Sequence, residues 1–178
     1  ALPGLANRKL SSLAKRVFVS VEEAQAFFPE TKTALTGNPV RPEFREPLPP
    51  IEGTPGLDRP LRLLVFGGSQ GAQIFSDVVP TALKRMTRPP AGIEVTQQAR
   101  ADGVEELKKS YAAKGLDADV RGFIDDMRGA MAKADLVICR AGATSIAELT
   151  ALGRPALLVP YPYAADDHQT ANAKALVS

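Results

Sequence analysis

Apolar residues along this chain fall into short unbroken runs separated by longer stretches of helical spacing. "LLVF" ending at Phe66, "LVIC" ending at Cys139 and "ALLV" ending at Val159 are continuous runs, the pattern of strands covered on both faces. The spacing predicts strands over Leu61–Phe66, Ile93–Gln97, Asp119–Gly122, Leu136–Cys139 and Ala156–Val159. Between and after them it predicts helices over Ala72–Met86, Gly103–Lys114, Asp126–Lys133, Ser145–Leu152 and Asp167–Leu176. Strands that alternate with helices imply an α/β fold: a Rossmann-like parallel sheet with helices on both faces.

The first 60 residues read differently. Residues 1–38 suggest helix, strand, short helix, strand. Leu10, Leu13, Ala14 and Val17 share one face of a basic helix, suited to packing on a neighbour or to anionic lipid, with a transit peptide as a further reading. Ser20 and Glu23 form a capping pattern ahead of the short helix, and Pro29 stops it. From Pro39 to Pro60 stand seven of the chain's 15 prolines, which predicts a linker or long surface loop in extended conformation.

Composition narrows the partners. The chain has 178 residues, 44% hydrophobic and 24% charged, as in an ordinary globular domain. A net charge of +2 gives no electrostatic case for nucleic acid. The single cysteine, Cys139, cannot form an internal disulfide. No apolar run reaches the ~18 residues that span a bilayer.

In open parallel sheets ligands sit beyond the carboxyl ends of the strands, so the candidate chemistry is sought there. After the first strand comes Gly67-Gly68-Ser69-Gln70-Gly71-Ala72, opening a helix. Glycine permits close backbone approach, and the helix aims free N–H groups and its positive dipole end at the loop. That suits a phosphate; the plainer reading is a turn needing glycine for packing. The loop is neither G-x-G-x-x-G nor a Walker loop, and Thr96-Gln97-Gln98 stands where a nicotinamide enzyme places an acid.

After the fourth strand, Gly142 suggests a second close turn, and Ser145-Ile146-Ala147-Glu148 opens a helix. Glu148 has two readings. It could close a capping box on Ser145, or its two acceptor oxygens could receive a vicinal diol such as ribose. After the last strand Asp166, Asp167, His168, Gln169 and Asn172 crowd together, a donor and acceptor set suited to a polyhydroxylated ligand. Metal-ligand spacing and a nucleophile elbow are both missing. Asp117 and Asp119 precede a strand, at the wrong end of the sheet for a diphosphate metal, and read as a solvated turn.

"TGNPVR", "VFGGSQGA", "GFIDDM", "CRAGATSIAEL" and "VPYPYAADDHQTANA" together resemble the C-terminal half of the MurG-type N-acetylglucosamine transferases, in matching order and over nearly the whole chain. That resemblance implies one half of a GT-B fold: residues 1–38 as the tail of an N-terminal acceptor domain, 39–60 as linker, and 61–178 as a donor-binding domain truncated at its end. It implies an inverting transfer of N-acetylglucosamine from UDP-GlcNAc to lipid I, making lipid II for peptidoglycan. No cofactor and no metal are implied. The whole enzyme would act peripherally at the cytoplasmic face of the bacterial inner membrane. Arg41 and Ser69 would reach the diphosphate, with Gly68 and Gln70 beside them. The backbone of Ile124 would read uracil. Ala143, Thr144, Ser145, Ile146, Ala147 and Glu148 would wrap the nucleotide, with Glu148 on the ribose. Gln169, with His168, would orient the sugar. The general base would lie in the N-terminal domain, so this chain would bind donor and transfer nothing alone. The family's His-Gln-Ser/Thr-Gly run is replaced here by Thr96-Gln97-Gln98-Ala99. Two other readings keep the fold: the catalytic subunit of a two-subunit dolichol-type transferase, and a non-catalytic nucleotide-binding domain.

Overall fold

The computed structural model describes residues 3–68, 72–87, 89–164 and 167–176. The chain opens with helix α1 (Leu5–Leu10), strand β1 (Val17–Val19), two 3₁₀ turns and strand β2 (Thr33–Leu35), and β1 and β2 pair in parallel. A 3₁₀ turn at Pro42–Arg45 leads to β3 (Leu61–Phe66). Then follow α2 (Gln73–Arg85), β4 (Ile93–Gln98), α3 (Val104–Ala112), β5 (Ala118–Arg121), α4 (Met127–Lys133), β6 (Leu136–Cys139), α5 (Ala143–Leu152), β7 (Ala156–Leu158) and α6 (His168–Lys174).

The main sheet has five parallel strands in the order β5-β4-β3-β6-β7. It starts in the middle at β3, runs outward through β4 and β5, then returns to the other side through β6 and β7. The reversal leaves a crevice at the carboxyl ends of β3 and β6, where such sheets bind their ligands.

The unbroken apolar runs have a direct cause. Successive residues of β3 face opposite layers: Leu63 and Val65 pack with Phe75, Val79, Leu83, Leu107 and Tyr111, beneath α2 and α3. Leu64 and Phe66 pack with Met131, Val137, Cys139, Leu149 and Leu152, beneath α4 and α5. Both layers being apolar around β3, both parities of that strand carry apolar residues from Leu63 to Phe66, whereas the apolar run on edge strand β7 is not covered on both faces, with Leu157 exposed.

Three expectations are corrected. The proline-rich segment is not simply an extended surface loop. Phe44 is fully buried and belongs to the core beside Leu149, while Val40 and Leu48 pack against the same cluster. Prolines hold the backbone stiff enough to deliver one aromatic ring inward. The stripe from Leu10 to Val17 does not form a helical face, because α1 ends at Leu10; Leu10 and Leu13 are exposed. Ser20 does not cap the next turn. That turn begins at Glu22 after an extended Val21, so Ser20 falls one residue too early and its hydroxyl donates to Asn38 Oδ1 at 3.3 Å. The Thr96-Gln97-Gln98-Ala99 stretch runs through the end of β4 as expected, with Gln97 fully buried and accepting the Tyr111 hydroxyl at 2.5 Å.

Candidate functional site

The first glycine junction follows β3. A Cβ on Gly67 would run into the backbone nitrogen and the Cβ of Ala72, so this glycine is required for the chain to fold back on the start of α2. Gly68 has φ +92°, a conformation natural to glycine. Ser69, Gln70 and Gly71 lie outside the described residues. Ala72, the N-cap of α2, is extended and supplies no side-chain cap.

The second junction follows β6 and corrects the sequence reading. Helix α5 begins at Ala143, two residues earlier than expected, with extended Gly142 as its N-cap. Ser145 therefore sits inside the first turn and Glu148 in the second, where they cannot make a capping box. The α5 N-cap residue Gly142, like Ala72 of α2, supplies no side-chain cap. Helix α4 provides the contrast: Asp126 accepts the Gly129 N–H at 2.7 Å and closes its end. Gly142 is not a tight turn either, since its φ is −71° and the nearest atom to an added Cβ is Ser145 Oγ at 3.9 Å.

Glu148 is 5% exposed, and its Oε1 accepts from Arg41 Nε at 3.0 Å. The fold thus joins two predicted site residues 107 positions apart. The Arg41 guanidinium lies over the Phe44 ring, 4.6 Å from its centroid, and its Nη1 is 3.5 Å from Glu43. Ala143 borders a groove against Val19, Ser20 and Asn38. Thr144 is exposed, while Ser145, Ile146 and Ala147 are half-buried. The Ile124 side chain is packed in the core, so only its main chain is left to meet a ligand. Its neighbour Phe123 is exposed.

At the third corner Gln169 Oε1 accepts the Tyr161 N–H at 2.9 Å, and His168 begins α6. Asp167 adopts φ +49° ahead of that helix and accepts the Thr170 hydroxyl at 2.6 Å. Asn172 is buried and donates to the Ala141 carbonyl at 3.0 Å, which ties α6 to the second junction. Asp167 and Asn172 are therefore engaged in building the corner; Asp166 lies outside the described residues.

These corners enclose an open cleft of about 890 Å³, bordered by Gly67, Gly68, Ser145 and Gln169, and also by Arg100, Arg140 and Tyr161. Sequence reading overlooked the last three. Arg140 Nη1 donates to the carbonyls of Val159 and Pro160 at 3.2 and 2.8 Å, and its guanidinium stacks near Phe75 and Tyr161. Arg100 pairs with Asp102. A signal for both was present, since each arginine follows closely on the carboxyl end of a strand. The described residues that line the cleft include two arginines, one of them paired with Asp102 just outside the lining. With two helix starts beside them, this wall is built for an anion.

Other groups are spectators. Burial pushes the Cys139 thiol up to about 12, so it remains protonated and unreactive. Asp119 pairs with Arg121 at 2.6 Å near the start of β5, away from the cleft. A second hollow of about 990 Å³ runs along edge strand β7 beside Leu149, Leu157 and Leu176, with mostly apolar walls and none of the candidate residues. No helix among the described residues is long and apolar enough to cross a membrane.

Comparison with known proteins agrees with this layout. Residues 62–178 match the glycosyltransferase family 28 C-terminal domain. A UDP-N-acetylglucosamine–N-acetylmuramyl-(pentapeptide) pyrophosphoryl-undecaprenol N-acetylglucosamine transferase of Magnetococcus marinus is 54% identical, over 100% of this chain and 48% of its own length. The protein of the same name from Geotalea uraniireducens is 46% identical, over 99% of this chain and 48% of its own. The crystal structure of Acinetobacter baumannii MurG superposes with a TM-score of 0.77 at 36% identity, covering 99% of this chain and 48% of that one. The chain spans about half the length of the relatives it matches.

Proposed function

We propose a function that starts from a plain fact of kinship: the chain belongs to glycosyltransferase family 28. It is the donor-binding part of an inverting transferase that moves N-acetylglucosamine from UDP-GlcNAc to lipid I, giving lipid II. Residues 1–38 are the tail of an acceptor domain, residues 39–60 connect, and residues 61–178 hold the donor. The acceptor and the general base belong to the half of the relatives that this chain does not span. The whole enzyme works on the cytoplasmic face of the inner membrane as a peripheral protein.

One observation supports this reading above others: two helices whose N-cap residues, Ala72 and Gly142, give no side-chain cap begin at the reversal of strand order, facing a cleft whose described lining carries Arg100 and Arg140. There the diphosphate of the donor meets amide dipoles and guanidinium groups. As the glycosidic bond breaks, charge grows on the leaving UDP, and preset dipoles stabilise it without reorganising. Ser69, Gly68 and Gln70 belong to the loop over the phosphates. The main chain of Ile124 takes the uracil, and the Ala143–Glu148 stretch lies along the nucleoside with Glu148 accepting the ribose diol. Gln169 and His168 face the sugar.

Calorimetric titration tests the assignment. UDP is expected to bind and NAD not to bind, and Glu148→Ala is expected to weaken UDP by about tenfold. Equal affinity for both nucleotides, or unchanged UDP affinity in Glu148→Ala, would overturn it. Incubation with UDP-GlcNAc and lipid I is expected to give no lipid II from this chain alone.

A further inference from the structure

Glu148 is nearly buried, and a buried carboxylate is useful to a diol only if it stays ionised and points one way. The structure supplies one partner for it. Arg41 Nε donates to Oε1 at 3.0 Å, and among the described residues no other hydrogen bond to the carboxylate is formed. The guanidinium is itself held in place. Its face rests on the Phe44 ring at 4.6 Å, Phe44 is 0% exposed, and the Phe44 N–H donates to the Arg41 carbonyl at 3.0 Å. Phe44 in turn packs in the same cluster as Leu149, the residue after Glu148. The core thus sets the direction of Arg41, and Arg41 sets the carboxylate. Oε1 is committed, so Oε2 is left free for a hydroxyl pair.

We propose that Arg41 is a positioning residue for Glu148, acting on recognition of the nucleoside diol as well as on any phosphate. This rests on the donor reading above. A guanidinium has five N–H groups in a fixed fork, so with Nε on Glu148 and Nη1 3.5 Å from Glu43, Nη2 is the group that remains for a phosphate oxygen. Recognition of the ribose at Glu148 is thus set by a segment that precedes the sheet.

Uridine separates the two roles because it carries the diol and no phosphate. With NMR-detected titration of the chain, Arg41→Gln is expected to weaken uridine by about tenfold, and UDP by at least the same factor. The double variant Arg41→Gln/Glu148→Gln is expected to bind uridine no worse than Glu148→Gln alone, since both changes remove one device. Arg41→Lys, which keeps a charged donor but not the planar fork, is expected to recover part of the loss and to keep the fold if the glutamine variant does not. Uridine binding unchanged in Arg41→Gln or in Arg41→Lys, with UDP weakened, would overturn the proposal and leave Arg41 a phosphate ligand only. Additive losses in the double variant would overturn it too. Should Glu148→Gln alone leave uridine untouched, the donor reading of Glu148 fails, a result distinct from any behaviour of Arg41.

Discussion

At the end of β3 the chain turns through Gly67 and Gly68; at the end of β6 it turns through Gly142. Both turns lead into a helix whose N-cap residue supplies no side-chain cap, and both face the same cleft. Their construction differs. The first depends on the missing side chain of Gly67, because the backbone of Ala72 occupies the space a Cβ would need. The second has room for a methyl group. Its position is set from below, by Phe44, Leu149 and Leu152 in the core and by Asn172 on the Ala141 carbonyl. One junction is shaped by local backbone sterics and the other by distant side chains. A glycine after a strand therefore does not by itself mean a tight turn.

That contrast can be broken at its strongest point first. Phe44→Ala is expected to cost about 4 kcal/mol in urea unfolding, through lost burial and a cavity under α5. Amide exchange would distinguish the two junctions, with protection falling in α5 more than in α2. Gly67→Ala is expected to cost about 2 kcal/mol by overpacking against Ala72, and to abolish measurable UDP binding in the same titration used above.

Third in size is a link between the proline-rich segment and β6. Arg59 grips Asp135 through both oxygens at 2.7 and 2.6 Å, and the Arg62 N–H adds a third bond at 2.9 Å. The Arg59 guanidinium, opposed by burial and aided by that N–H, holds the Asp135 carboxyl below its ordinary value of 3.8. A depressed carboxylate stabilises the fold above its unfolded pKa and loses that contribution as pH falls through the folded value. Asp135→Asn is accordingly expected to lower Tm at neutral pH, with the gap to the parent chain closing as pH drops below about 4. A gap that stayed constant in acid would show that the charge is not what matters there. The smallest effect belongs to Gly142→Ala, expected to cost under about 1 kcal/mol because the position is extended and roomy. A collapse of stability in that variant would erase the distinction between the two junctions.

Much of the α/β fold was legible along the chain. Strands and helices can be placed from apolar runs and helical spacing, since the inner strands β3 and β6 are covered on both faces, although the apolar run of edge strand β7 leaves Leu157 exposed. The glycine loop and the strand-end rule point to the cleft. Less legible was the start of α5, because Ser145 and Glu148 have the spacing of a cap while Gly142, an extended residue with no cap side chain, ends the non-helical backbone. Arg100, Arg140 and Tyr161 were passed over because single charged or aromatic residues beyond a strand make no motif. Phe44 was hidden by seven surrounding prolines that read as exposed loop.

Periodicity, turn residues and glycine positions are local properties, and the sequence by itself determined what depends on them: the α/β class, the order of elements, and the end of the sheet that carries the cleft. Contacts between residues far apart in the chain obey no local pattern. Tertiary structure alone decided that Arg41 meets Glu148, that Phe44 supports α5, and that Arg100 and Arg140 line one cleft, because each follows from how packed layers bring distant side chains within a few ångströms.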